Sequence, residues 1–254
     1  MDPFEWKSQV VVVTGASAGI GAALATEVVR RGGAAVLAAR RPEKLDEVAR
    51  AAGGTTLTVP TDVTRKDDVA RLAAKTIERF GHVDAWINNA GRGITRPLLD
   101  LTDDDVDAMI RDNVKSALYG MQAIVPHFKQ RARGHLVNVS SMLGRIPFAG
   151  FRSAYCASKA ALGSLTEILR MDLAKDFPDV RVTCFYPGVV ATDFGLNSLG
   201  GGVDSRALPG SQTAEEVARL LADALEARRG GDVYSRPEAA ERVLGYLRGL
   251  AAVS

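Results

Sequence analysis

Cysteine, tryptophan and histidine are all scarce in this chain of 254 residues, and neither sign of charge dominates it. The two cysteines, Cys156 and Cys184, sit in apolar stretches. They form no disulfide framework and read as small core residues of a protein kept in a reducing compartment, the cytoplasm. The three histidines, His82, His127 and His135, show no paired ligand spacing. They stand at element ends, read as surface or boundary residues, and no metal is expected. Lys and Arg number 32 against 30 for Asp and Glu, with no basic stripe to follow a phosphate backbone, so no nucleic-acid partner is expected. No apolar run approaches the ~18 residues of a membrane span. The opening Met1-Asp2-Pro3-Phe4-Glu5-Trp6-Lys7 carries acids and leads straight toward Val10, so neither a targeting segment nor membrane contact is expected. Pro- or Ser-rich linkers and fixed-period repeats are also missing, which points to one domain over 1–254.

What is present is alternation. Short β-branched or aliphatic runs at 10–14, 35–39, 55–60, 84–88, 135–140, 181–186 and 232–235 give seven candidate strands. Amphipathic stretches at 42–52, 65–80, 102–128 and 213–228 lie between them, each long enough for a crossover helix. Strand and helix in turn imply an α/β protein, a doubly wound Rossmann domain whose parallel sheet of about seven strands carries helices on both faces. The run Val10-Val11-Val12-Val13 suits a central strand buried on both sides. Thr102-Asp103-Asp104-Asp105 reads as a helix cap with acids at the positive end of the dipole. Only 193–211, with Gly195, Gly200, Gly201, Gly202 and Gly210, lacks periodicity. It is either a mobile lid over the substrate or slack.

The first strand runs into Thr14-Gly15-Ala16-Ser17-Ala18-Gly19-Ile20-Gly21 and then into a helical Ala22-Ala23-Leu24-Ala25. Strand, glycine turn and helix start form a phosphate cradle, because glycine admits close backbone approach and the helix amides favour an anion. Gly15, Ser17, Gly19, Ile20 and Gly21 are thus candidates for holding a dinucleotide. Where the second strand ends, an NAD site usually presents an acid to the ribose. Here the chain has Ala38-Ala39-Arg40-Arg41. With no carboxylate to repel a 2′-phosphate and guanidinium groups to grip it, NADP is favoured over NAD.

Tyr155 and Lys159 stand four apart in a stretch whose small residues and leucine spacing read as a buried helix, so both point the same way. An ammonium ~4 Å from a phenol in a partly screened site is worth about 4 kcal/mol. That is enough to bring the phenol toward neutral pH, where it exchanges protons with an alcohol or ketone.

The glycine turn, Asn88-Asn89-Ala90-Gly91, a serine on the fifth strand, Tyr155 with Lys159, and Pro187-Gly188-Val189-Val190-Ala191-Thr192 occur in that order. By these motifs the chain resembles the short-chain dehydrogenase/reductase family, in its smaller subtype, over nearly its whole length. The resemblance implies that Tyr155 is the acid/base, that Lys159 lowers its pKa and binds the nicotinamide ribose, and that a serine polarises the substrate carbonyl. Of Ser140 and Ser141, the family's spacing to Gly144 selects Ser141, although its interval to Tyr155 is one residue longer than the commonest. Asn113 matches the asparagine that kinks the fourth helix and holds a relay water against Lys159. Asp62 and Val63 match the adenine contacts, with a helix cap as a second role for Asp62. Asn88, Asn89, Ala90 and Gly91 match the cofactor floor, and Pro187, Gly188, Val190 and Thr192 the turn around the carboxamide and phosphates. In relatives the faces of the 102–128 helix and of the Tyr155 helix build a subunit interface, so a homodimer or homotetramer is expected.

The implied reaction moves a hydride between NADP and a carbonyl or secondary alcohol. The substrate is a largely apolar small molecule, to judge from Met142, Leu143, Ile146, Phe148, Phe151, Phe194, Leu196 and Leu199 near the site residues. Arg92, Arg145 and Arg152 flank the same region, each either solvated or a partner for a carboxylate or phosphate. Two other readings stay open: a 3-ketoacyl reductase working on an acyl carrier, and an NADP-sensing regulatory protein without turnover. The intact set of Ser141, Tyr155 and Lys159 favours an enzyme.

Overall fold

Four consecutive β-branched valines resist a helix and suit a pleated strand. They form β1 (Val10–Thr14), in which every residue is buried. Val11 and Val13 enter one helical layer, Val10 and Val12 the other. The structure, a computed structural model, describes residues 5–251, so the Met1–Phe4 part of the opening segment lies outside it.

Around β1 lie β2 (Ala34–Ala39), β3 (Thr56–Pro60), β4 (Ala85–Asn88), β5 (Gly134–Val139), β6 (Val180–Tyr186) and β7 (Gly231–Tyr234). They form one seven-stranded sheet in the order β3-β2-β1-β4-β5-β6-β7, parallel throughout. One face is covered by α1 (Gly19–Arg30), α2 (Pro42–Ala52) and α7 (Ala214–Glu226), through Leu24, Val28, Leu45, Val217 and Leu221. The other is covered by α3 (Lys66–Phe80), α5 (Ser116–Gln130) and α6 (Ser153–Ala174), through Leu72, Ile124, Phe128, Leu162 and Leu173. Chain direction across the sheet reverses between β1 and β4, which opens a crevice at their carboxyl ends.

Three expectations change. The stretch 102–128 is α4 (Asp103–Ile110), a π-helical turn at Arg111–Lys115, and then α5. Its start is capped as expected: Thr102 Oγ1 accepts from Asp105 N at 3.2 Å, and Asp105 Oδ2 accepts from Thr102 N at 3.0 Å. His135 is buried within β5 rather than at a boundary. The Thr183 hydroxyl donates to the Arg229 carbonyl, so at 2.8 Å the His135 Nε2 is the donor to Thr183, and burial pushes the imidazole down to about 3. A further helix, α8 (Pro237–Ala251), follows β7 and was not foreseen. Among the described residues no helix is long and apolar enough to cross a membrane.

Candidate active site at the carboxyl edge of the sheet

The glycine turn leaves β1 with Gly15 and Gly19 at positive φ, 68° and 54°. A Cβ on Gly21 would overlap the Gly15 carbonyl and lie 2.6 Å from Asn89 Nδ2, so only glycine lets α1 start this close to the turn. Asn89 fastens the turn from the neighbouring strand: its Nδ2 donates to Thr14 O at 2.9 Å, and the Asn89 and Ala90 amides donate to Thr14 Oγ1 at 3.0 and 3.1 Å. Ala18 stands at the helix start with no side chain to cap it, which leaves the first turn to an outside acceptor. Arg41 reaches back to Ser17, Nη2 to Oγ at 3.4 Å, and both Arg40 and Arg41 are exposed with no carboxylate in ion-pair range among the described residues. Asp62 Oδ1 accepts from Thr64 N and Oγ1 at 3.0 and 2.7 Å, so it caps its own turn rather than α3, which begins after Arg65. Val63 is half-buried against the α3 side of the core.

Tyr155, Ser141 and Lys159 come together past the ends of β5 and β6, all buried. Ser140 turns away and donates to the Lys159 carbonyl at 2.9 Å, tying β5 to α6. Ser141 accepts from Leu143 N at 3.2 Å, and its hydroxyl draws the Tyr155 phenol downward. Gly144 allows this loop to press on α6, since a Cβ there would meet the Lys159 carbonyl carbon at 2.7 Å. Lys159 Nζ donates to Val139 O at 2.8 Å and lies 5.8 Å from the centroid of the Tyr155 ring. No carboxylate lies within 4.0 Å of it among the described residues.

Burial dominates the electrostatics of this pair. Burial pushes the Tyr155 phenol up to about 12, while the Ser141 hydroxyl and the Arg152 charge pull the other way. Burial also brings the Lys159 ammonium down to about 8. Desolvation is the largest influence on both groups, which lie buried together.

Asn113 lies in the π-helical turn. Its Oδ1 accepts from Arg92 N at 2.8 Å, and its Nδ2 donates to Arg92 O at 2.9 Å and Ser158 Oγ at 3.1 Å. The Gly91 Cα is flanked on one side by Asn113 Oδ1 and Lys159 Nζ, which a Cβ would meet at 2.8 and 3.4 Å. Sequence reasoning missed the polar chain beneath: Trp86 Nε1 donates to Asn88 Oδ1, Asn88 Nδ2 to Asn138 Oδ1, and Asn138 Nδ2 to Thr166 Oγ1, at 2.8, 2.8 and 2.9 Å. It joins β4, β5 and α6. Two buried asparagines on adjacent strands were its only trace in the sequence.

On the other side, Gly188 N donates to Ser235 Oγ at 3.0 Å, Pro187 O accepts from Met142 N at 3.1 Å, Val190 is buried, and the Thr192 methyl lies 3.2 Å from where a Gly19 Cβ would stand. The 193–211 segment is closed at its base by Ala191 N to Gln212 O and Gln212 N to Val189 O, at 2.8 and 2.9 Å. It docks through Leu199, which exchanges backbone bonds with Gly93 and Thr95 at 2.9 and 2.8 Å. Phe194 brings its ring centroid to 5.7 Å from that of Tyr155. Arg145 is taken by Asp232 at 3.2 Å, and Arg92 is exposed.

The uncapped α1 start and the glycine cradle fit a pyrophosphate, and the open floor at Gly91 beside Lys159 fits a ribose. Comparisons agree. The family model for short chain dehydrogenases matches residues 9–198. An uncharacterized oxidoreductase of Listeria innocua is 38% identical over 190 residues, 74% of this chain and 76% of its own. A short chain dehydrogenase/reductase from Burkholderia phymatum, solved in complex with NAD, superposes with a TM-score of 0.84 at 28% identity over 94% of this chain and 93% of that one. An alcohol dehydrogenase from the archaeon Thermococcus sibiricus, complexed with 5-hydroxy-NADP, gives 0.78 at 27% identity, over 89% and 95%. The chain belongs to the short-chain dehydrogenase family, as an oxidoreductase that works with a nicotinamide cofactor.

Proposed function

We propose that the protein is an NADP-dependent oxidoreductase for a carbonyl or secondary alcohol, with Tyr155 as its acid/base. The observation that carries this is a buried phenol beside the Ser141 hydroxyl, with the Lys159 ammonium 5.8 Å from its ring centroid and no carboxylate within 4.0 Å of that ammonium among the described residues. The nicotinamide supplies or accepts the hydride. Gly15, Ser17, Gly19, Ile20 and Gly21 would hold the pyrophosphate, Arg40 and Arg41 the 2′-phosphate, and Asp62 and Val63 the adenine. Asn89, Ala90 and Gly91 would form the floor, Lys159 and Tyr155 would meet the ribose, and Pro187, Gly188, Val190 and Thr192 would close the carboxamide side.

In reduction, Ser141 hydrogen-bonds the carbonyl oxygen and Tyr155 gives it a proton as negative charge develops there, an effect worth about 3 kcal/mol per well-placed donor. A phenol pushed up to about 12 suits the acid's role better than the base's at neutral pH. Lys159 stabilises the tyrosinate that is left and Asn113 holds the π-helical turn against it. The 193–211 segment serves as the cover, with Phe194 excluding water from Tyr155. Leu98, Leu99, Ile168 and Met171 are exposed apolar residues and support a homodimer or homotetramer, which light scattering at micromolar concentration decides.

Tyr155→Phe is expected to keep NADPH binding, read by cofactor fluorescence, and to lose turnover by roughly 10³-fold. The assay panel covers ketones, β-ketoacyl thioesters and secondary alcohols with NADPH and NADH in parallel. Near-normal turnover by the variant would refute the role of Tyr155, and activity with NADH alone would refute that of Arg40 and Arg41.

A further inference from the structure

Arginines crowd the mouth of the site, and most are neutralised. Arg96 is paired with Asp105 at 3.0 Å, Arg145 with Asp232 at 3.2 Å, and Arg206 with both Asp193 and Asp204. Arg152 differs. It is half-buried one turn ahead of Tyr155, and no carboxylate lies within 4.0 Å of it among the described residues. Among the described residues its one hydrogen-bonded side-chain partner is neutral: Nη1 donates to Ser198 Oγ at 3.1 Å. The Ser198 hydroxyl itself donates to Phe194 O at 3.1 Å, so it offers Arg152 a lone pair and no charge. A guanidinium carries five N–H donors, and here one is used on the protein.

The placement is built rather than incidental. Arg152, Ser198 and Phe194 converge on Gly93, where a Cβ would overlap Ser198 Oγ and lie 2.7 Å from Arg152 Nη1 and 3.0 Å from Phe194 Cε1. The Arg152 main chain is fixed too, bridged to Arg96 as a parallel partner and accepting from Cys156 N at 2.9 Å. Its positive field reaches the reacting group, since it draws the Tyr155 phenol downward against burial. A cation so placed, flanked by Phe194 and Phe151, matches a planar anion joined to an apolar body.

We infer that Arg152 is a specificity-determining residue that binds a substrate carboxylate, so that the substrate is a short oxo acid or the corresponding hydroxy acid. This rests on the oxidoreductase reading above and narrows it. One end of the molecule is gripped by Arg152 while its carbonyl oxygen lies between Ser141 and Tyr155, and the tail runs under the 193–211 segment.

The test compares kcat/KM for NADPH-dependent reduction of a short 3-oxo acid and of its methyl ester, in the wild type, Arg152→Met and Arg152→Lys, with thermal melts to verify folding. The wild type is expected to favour the acid by roughly 100-fold, Arg152→Met to lose that ratio, and Arg152→Lys to keep part of it. A lid disturbed by the substitution would slow both substrates and leave the ratio unmoved, so an unmoved ratio overturns the inference. A wild type that reduces the ester better than the acid also overturns it, while leaving the oxidoreductase reading in place. A wild type that reduces neither, nor any ketone or alcohol of the wider panel, overturns both.

Discussion

Arg31 and Lys159 are both cations withdrawn from water, on opposite sides of the sheet's function. The Arg31 side chain, 14% exposed, is met by Glu27 at 2.7 Å, Asp223 at 2.6 Å and Glu226 at 2.8 Å, with its guanidinium 5.4 Å from the Trp6 ring centroid. It pins α1 to α7. Lys159, 4% exposed, has a backbone carbonyl and, among the described residues, no carboxylate. A buried charge without a partner costs stability, whereas a compensated one is close to neutral or favourable. The back of the molecule therefore spends its charges on holding helices together, and the carboxyl edge leaves the buried Lys159 uncompensated where a proton is to be moved.

The sharpest way to break this contrast is Lys159→Met, which removes the uncompensated charge. Turnover is expected to fall by 10³-fold or more, on the order of other acid/base disruptions. Stability at pH 7 is expected to rise, by up to about 3 kcal/mol if the whole burial cost is recovered. The ammonium titrates near 8 when folded and near 10.5 when unfolded, so between those values the unfolded chain binds more protons and the wild type gains stability as pH rises. The variant's advantage should accordingly shrink from pH 8 to 10.5. Urea unfolding at pH 7 and pH 10 measures it, and a variant less stable than wild type at pH 7 would show that Lys159 is a structural cation like Arg31.

Much of the fold was legible because its signals are local. The valines of β1 and the glycines at 15, 19 and 21 announce strand, turn and helix within a dozen neighbouring residues. The resemblance placed a kink at Asn113, but its π-helical form was not legible, because what holds Asn113 there is the Arg92 backbone, far away in sequence. His135 looked like a boundary residue because its partner, Thr183, belongs to another strand. The site shows the same division. Spacing placed Tyr155 and Lys159 on one helical face, yet the direction of the phenol's pKa depends on burial, Ser141 and Arg152, none of which spacing contains. The glycines of 193–211 read as either lid or slack, and Gly200 serves a contact that the pattern does not contain: a Cβ there would lie 2.6 Å from Thr95 O.

The gentler test works from the compensated side. Arg30 and Arg31 hold the Glu27 carboxyl down at about 2, with Arg30 the larger influence, and the Glu27 side chain is only 8% exposed. Glu27→Gln takes one of three carboxylates from Arg31 and leaves Arg30 facing an amide. Because Arg30 itself is largely in water, the loss should be discounted to about 1–2 kcal/mol. Glu27 ionises near 2 when folded and 4.5 when unfolded, so its contribution is complete above 4.5 and disappears as pH falls toward 2. The wild type and the variant should thus differ in urea midpoint at pH 7 and converge near pH 2 to 3, with turnover the same at pH 7. If Glu27→Gln slowed turnover as Lys159→Met does, the two sides of the molecule would not be separable, and the unpaired state of Lys159 would lose its meaning as a mark of the reacting site.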